Sequence, residues 1–133
     1  MKWIIYILLY IWQLPQNIAG LAVLLFYKFK KSGIKKCGDG VYIVPYFCAG
    51  GVSLGNYIFI LDSGNIEFAI KHEIGHRRQS MMLGPLYLLV VGIPSVVFNI
   101  ISKYSYPFSK RYYQRFPENW ANKLGKCHER EDD

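Results

Sequence analysis

The sequence predicts an α+β integral membrane protein folded as a single domain over residues 1–133. Three observations predict it. Two apolar runs, residues 3–27 and 86–101, are long enough to interact with a bilayer but are broken by polar residues, glycine and proline. Residues 41–62 are rich in β-branched and aromatic types. Residues 66–83 carry a helical pattern with two histidines four positions apart. Composition agrees: 52% of residues are apolar, 17% aromatic and only 19% charged. That balance excludes a disordered chain, a collagen-like fibre and a coiled coil. Lys and Arg total 16 against 9 Asp and Glu, giving a net charge of +7. In so apolar a chain, the excess points to a lipid bilayer with anionic headgroups rather than to nucleic acid, for which no recognition motif is present. Three cysteines (Cys37, Cys48, Cys127) are too few for a disulfide framework and suit a reducing compartment.

As one helix, the first run would extend about 37 Å, more than the roughly 30 Å of a hydrocarbon core. Gln13, Pro15, Gln16 and Asn17 lie at its centre. Pro15 removes a helix hydrogen bond, so the run reads as a transmembrane helix kinked at Pro15, or as a hairpin of two half-helices. The three amides need partners inside the protein or a water-filled notch. A lysine after Met1 and an apolar run also open a secretory signal, but no small-x-small cleavage site follows.

Lys28, Lys30, Lys31, Lys35 and Lys36 come next and read as a cytoplasmic flank. Beyond Gly38-Asp39-Gly40, residues 41–48 and 52–62 are expected to form a short β-hairpin, with Pro45 marking an edge or a bulge. Asn65 is the expected N-cap of the helix over residues 66–83, which Gly84-Pro85 stops. The run 86–101 would extend about 24 Å, short for a straight span, and Gly92 and Pro94 interrupt it. Residues 102–117 are aromatic and basic, as at a membrane–water interface. A short helix over 118–125 and a charged tail over 126–133 complete the chain.

Residues 72–76 read His-Glu-Ile-Gly-His. On a helix, positions i and i+4 share a face, so His72 and His76 can offer two imidazoles to one ion. Glu73 then lies beside the metal, placed to take a proton from a bound water. A hydrolytic zinc site takes three protein ligands and leaves one position for water. Downstream candidates for the third ligand are Glu118, Cys127, His128, Glu129, Glu131 and the two terminal aspartates. Glu118 is preferred because it opens a short helix, on which Asn122, one turn later, can hydrogen-bond a zinc-ligating histidine.

His72-Glu73-Ile74-Gly75-His76 followed by a helical Glu118 resembles the gluzincin branch of zinc metallopeptidases. The resemblance covers residues 72–76 and 118–122. It implies Zn2+ held by His72, His76 and Glu118, with Glu73 as general base. Gluzincins often carry an acidic residue four places after the ligand glutamate; here that place holds Asn122, which accepts a hydrogen bond but brings no negative charge.

The function expected is therefore a zinc-dependent membrane metallopeptidase, in which a zinc-activated water attacks a peptide carbonyl and Glu73 takes the proton. Tyr104, Tyr106, Tyr112, Tyr113 and His128 are candidate donors to the oxyanion, and the strand 52–62 can bind an extended peptide by strand addition. The alternatives are a non-enzymatic membrane protein with a structural zinc site and a basic membrane adaptor. The ligands impose one constraint. His72 and His76 precede the second apolar run and Glu118 follows it, so that run is expected to turn back around Gly92–Pro94. Basic residues on both of its flanks place the active site near the cytoplasmic face.

Overall fold

The computed structural model describes residues 1–47, 50–62, 64–104 and 116–125. Four short strands, β1 (Lys35–Gly38), β2 (Val41–Val44), β3 (Gly51–Leu54) and β4 (Tyr57–Leu61), form one sheet in the order β1-β2-β4-β3. β4 reads Tyr-Ile-Phe-Ile-Leu because both of its faces are covered. On one face Phe59 packs with Val44, Leu24 and Tyr27 of helix α2 (Leu14–Phe29). On the other, Ile58 and Ile60 pack with Val41 and with Ile66, Ala69, Ile70 and Ile74 of helix α3 (Ile66–Leu83). The sheet thus lies between α2 and α3.

This sheet replaces the expected hairpin. β2 pairs parallel to β4, and β3 pairs antiparallel to β4 across the turn Gly55-Asn56. The expected strand over 52–62 is therefore two strands, and β2 ends at Val44, just before Pro45. β1 is exposed along its whole length and carries Lys35 and Lys36. Lysines on an outer strand discourage pairing with other chains, and the same lysines hide the strand from a reading of apolar pattern.

The expected integral membrane fold, with an N-terminal transmembrane helix, is corrected as well. Among the described residues no single helix is long and apolar enough to cross a membrane. The run 3–27 consists of helix α1 (Lys2–Trp12) and α2, bent from one another by 88° at Gln13. The amides cause the break. Gln13, Gln16 and Asn17 are fully buried. Ser80 Oγ donates to Gln13 Oε1 at 2.6 Å, and Gln16 Nε2 reaches Ser80 Oγ and the Gly84 carbonyl, both at 2.8 Å. Asn17 Oδ1 accepts the Asn56 N–H in the β3–β4 turn at 2.7 Å. Buried amides must find such partners, and only a bent chain brings all three onto α3 and the sheet.

The second apolar run does not turn back at Gly92–Pro94. After a 3-10 turn (Gly84–Leu86) it passes through one wide π-turn (Leu88–Gly92) directly into helix α4 (Ile93–Tyr104). Pro94 sits inside this helical run and brings no N–H to it; the π-turn just before it carries the run through. The expected re-entrant element is therefore replaced by a continuous helical segment.

Helix α5 (Glu118–Gly125) packs on α3 at backbone contact. A Cβ on Gly75 would lie 1.8 Å from the Ala121 carbonyl oxygen, and one on Gly125 would lie 1.9 Å from that of Lys71. Arg78 of α3 donates to the Leu124 carbonyl near the end of α5. Gly75→Ala is expected to lower unfolding stability by about 1–3 kcal/mol through overpacking. Gly50→Ala, where an added Cβ meets nothing within 4 Å, serves as the control and is expected to change stability by less than about 0.5 kcal/mol. Chemical denaturation of the two variants checks this.

Candidate metal centre

Asn65 starts α3, its Oδ1 accepting the Phe68 N–H at 3.0 Å. One helical turn then separates His72 from His76, and both are buried, as is Glu73. The ligand-type atoms of His72, Glu73 and His76 lie within 4.8 Å of one another, a group that can hold a metal ion. α5 brings Glu118, which is fully buried, into the same place. His72 Nε2 lies 2.6 Å and His76 Nε2 3.1 Å from Glu118 Oε2.

The outer nitrogens explain this aim. His72 Nδ1 lies 2.6 Å from Asn122 Oδ1, and His76 Nδ1 lies 2.7 Å from Gln79 Oε1. An amide oxygen only accepts, so each Nδ1 carries the proton and donates. With Nδ1 so committed, both Nε2 atoms face the same carboxylate oxygen, and each either donates a proton to it or, in the neutral ring, offers a lone pair. Three electron-pair donors facing one another need a cation between them, either protons or a metal ion. Gln79 is fixed in turn, its Nε2 donating to the Pro117 carbonyl at 3.1 Å. Ser95 of α4 donates to Glu118 Oε1, which leaves Oε2 for the shared cation. A further atom fits such an ion: Glu73 Oε2 is buried and has no hydrogen-bond partner among the described residues.

Charge follows geometry. Burial raises the Glu73 pKa; the two histidines pull it back and Glu118 adds to the rise. For Glu118 burial acts upward, but hydrogen bonds and charge from His72 and His76 outweigh it and hold the carboxyl well below the usual range. For His76 burial acts downward, but the Glu118 bond and the charges of Glu73 and Glu118 raise its pKa to about 9.

The predicted residues His72, Glu73, His76, Glu118 and Asn122 thus meet at one place. Tyr104 does not; it is 88% exposed at the end of α4. Tyr106, Tyr112, Tyr113, Cys48, Cys127, His128, Glu129, Glu131 and the tail over 126–133 lie outside the described residues. Cys37 is a free, exposed thiol. Sequence reasoning missed Gln79, Ser95 and Tyr87. Gln79, three residues after His76, carries a readable signal, because i and i+3 share a helix face. Ser95 reaches Glu118 through tertiary packing alone, and Tyr87 reaches β3, the strand beside Glu73, in the same way. Tyr87 is buried and donates to the Ser53 carbonyl at 3.0 Å. Burial, and then the charges of Glu73 and Glu118, raise its pKa well above 10.0, so it stays protonated.

No family model, curated protein or solved structure matches this chain. The group His72, Glu73 and His76 is a buried cluster able to bind a metal ion.

Two outcomes follow. Gln79→Ala and Asn122→Ala are each expected to weaken metal binding about 10–100-fold, since they free an imidazole from its orienting acceptor; competition with a chromophoric chelator measures it. The metal-free chain is expected to lose stability with rising pH. His76 is raised from 6.5 to about 9 by folding, so its pairing with Glu118 contributes fully below about 6.5 and is lost as pH passes about 9. Thermal midpoints across that window should fall for the parent and much less for Glu118→Gln.

Proposed function

We propose that the chain is a zinc-dependent metallopeptidase of the gluzincin type. One observation carries the reading: two imidazole Nε2 atoms and Glu118 Oε2 converge while both Nδ1 atoms are committed to amide oxygens. Two nitrogens and one carboxylate oxygen form a donor set that suits zinc and leaves a coordination position for water. His72, His76 and Glu118 would hold the ion, which when bound supplies Lewis acidity and a water acidified towards a pKa of about 7.

The chain's own groups do the rest. Glu73, one residue beyond the first ligand, accepts the proton from the attacking water and delivers it to the leaving amine. Its burial raises its pKa, which makes the carboxylate a stronger base than a solvated one. Beside it runs β3, the outer strand of the sheet on that side. A Cβ on Gly51 would lie 3.1 Å from Glu73 Oε1, so the absence of a side chain there lets the base sit against the strand. The bond from Leu61 N–H to the Gly50 carbonyl fixes the ladder's phase. In that phase Gly51 and Ser53 turn their backbone groups away from β4. The Ser53 carbonyl is taken by the Tyr87 hydroxyl, so a peptide would meet this edge at Gly51, with a carbonyl within reach of Glu73. Tyr87, a protonated phenol, gives its one proton to the Ser53 carbonyl and so ties β3 to the segment that follows α3.

Glu73→Gln is the test. The variant is expected to bind zinc as the parent does and to cut a peptide library, read by mass spectrometry, at least about 10²–10⁴-fold more slowly. Equal cleavage by both chains, or none by the zinc-loaded parent, overturns the reading.

A further inference from the structure

α1 has no buried residue. Residues 3–8 are apolar or aromatic and all exposed, from Ile4 at 44% to Tyr6 at 70%. Successive helical residues are about 100° apart, so the exposed apolar surface runs all round the helix. Such a helix has no polar face suited to water, and lipid covers more of it than one flat protein surface or a second copy would. α2 adds a stripe. Leu14, Ile18, Leu21, Leu25 and Phe29 recur at helical spacing and are exposed, opposite the face that packs on the sheet. Where α2 ends, Lys28, Lys30 and Lys31 are exposed, followed by Lys35 and Lys36 on β1. Apolar surface bordered by lysines complements the acyl boundary and the anionic headgroups of a bilayer. Neither α1 nor α2 alone is long and apolar enough to cross a membrane, and the two, which together have the length and composition, are bent from one another by 88°. At 11 residues α1 is about 16 Å long, and Trp3 and Trp12 stand near its two ends, as aromatic anchors do when a helix lies along the interface.

We propose that α1 and the outward stripe of α2 lie in the headgroup–acyl boundary of one leaflet of an anionic bilayer. Because α1 is apolar all round, it presents apolar side chains on whichever side the α2 stripe faces. The inference is independent of the hydrolytic reading and uses none of the metal residues.

The experiment is flotation of the full chain with vesicles of phosphatidylcholine, with and without phosphatidylglycerol. Acyl-brominated lipid in parallel samples quenches tryptophans seated in the membrane. The parent is expected to float with the anionic vesicles, and the quenching to diminish in Trp3→Phe. Replacing Lys28, Lys30 and Lys31 with Gln should lower partitioning about fivefold per lysine. Ile5→Glu with Leu8→Glu should lower it at least about tenfold. These positions are exposed, so both variants should keep the parent's far-ultraviolet circular dichroism and thermal midpoint, which certifies their fold. Absence of the parent from floating vesicles overturns the proposal. So does equal partitioning of parent and Glu variant, or a lipid-free dimer in which α1 is shielded. An N-terminal tag protected inside sealed vesicles would mean a spanning segment and would overturn it too.

Discussion

Two imidazole Nε2 atoms and a carboxylate oxygen face one another inside the protein, and much of the structure serves to keep them there. Left alone, three acceptors in a buried space repel. They persist because each is tied from behind: His72 by Asn122, His76 by Gln79, and Glu118 by Ser95. The ties come from three helices, α3, α4 and α5. The requirement for a shared cation therefore links segments far apart in sequence. It also explains why a small domain buries two histidines and two glutamates, residue types seldom buried without partners.

Two further devices make the arrangement possible. Gly75 and Gly125 let α3 and α5 touch backbone to backbone, which sets how far Glu118 reaches. The buried amides Gln13 and Gln16 join the other end of α3 through Ser80, the neighbour in sequence of Gln79. The polar interruption of the first apolar run is thus the device that docks α1 and α2 onto the helix that carries both histidines. It is also what bends the pair by 88°.

Local chemistry was legible in the sequence and long-range pairing was not. The bounds of α3 followed from Asn65 and Gly84, and the meeting of His72 with His76 followed from helical spacing. Glu118 and Asn122 were suggested by the same logic one helix later. The sheet was misread because its parallel pair, β2 with β4, depends on contacts that leave no local pattern. β1 went unseen because an outer strand carrying lysines does not alternate. A membrane-crossing helix was expected where the chain bends, since hydropathy counts apolar residues and is blind to the direction in which three amides are pulled. Gly92-Ile93-Pro94 reads as a turn in the sequence, yet the π-turn over the preceding residues carries the helix through the proline.

The distance along the chain between the two halves of the centre governs the order in which the protein is made. His72 and Glu118 are 46 residues apart. At roughly 5–20 residues per second, ribosomal synthesis places about 2–9 s between them. Through that interval the two histidines exist without their carboxylate, and an ion can be held by only part of its donor set. The chain gains its complete centre, and whatever reactivity comes with it, only after α1, α2 and the sheet have already emerged.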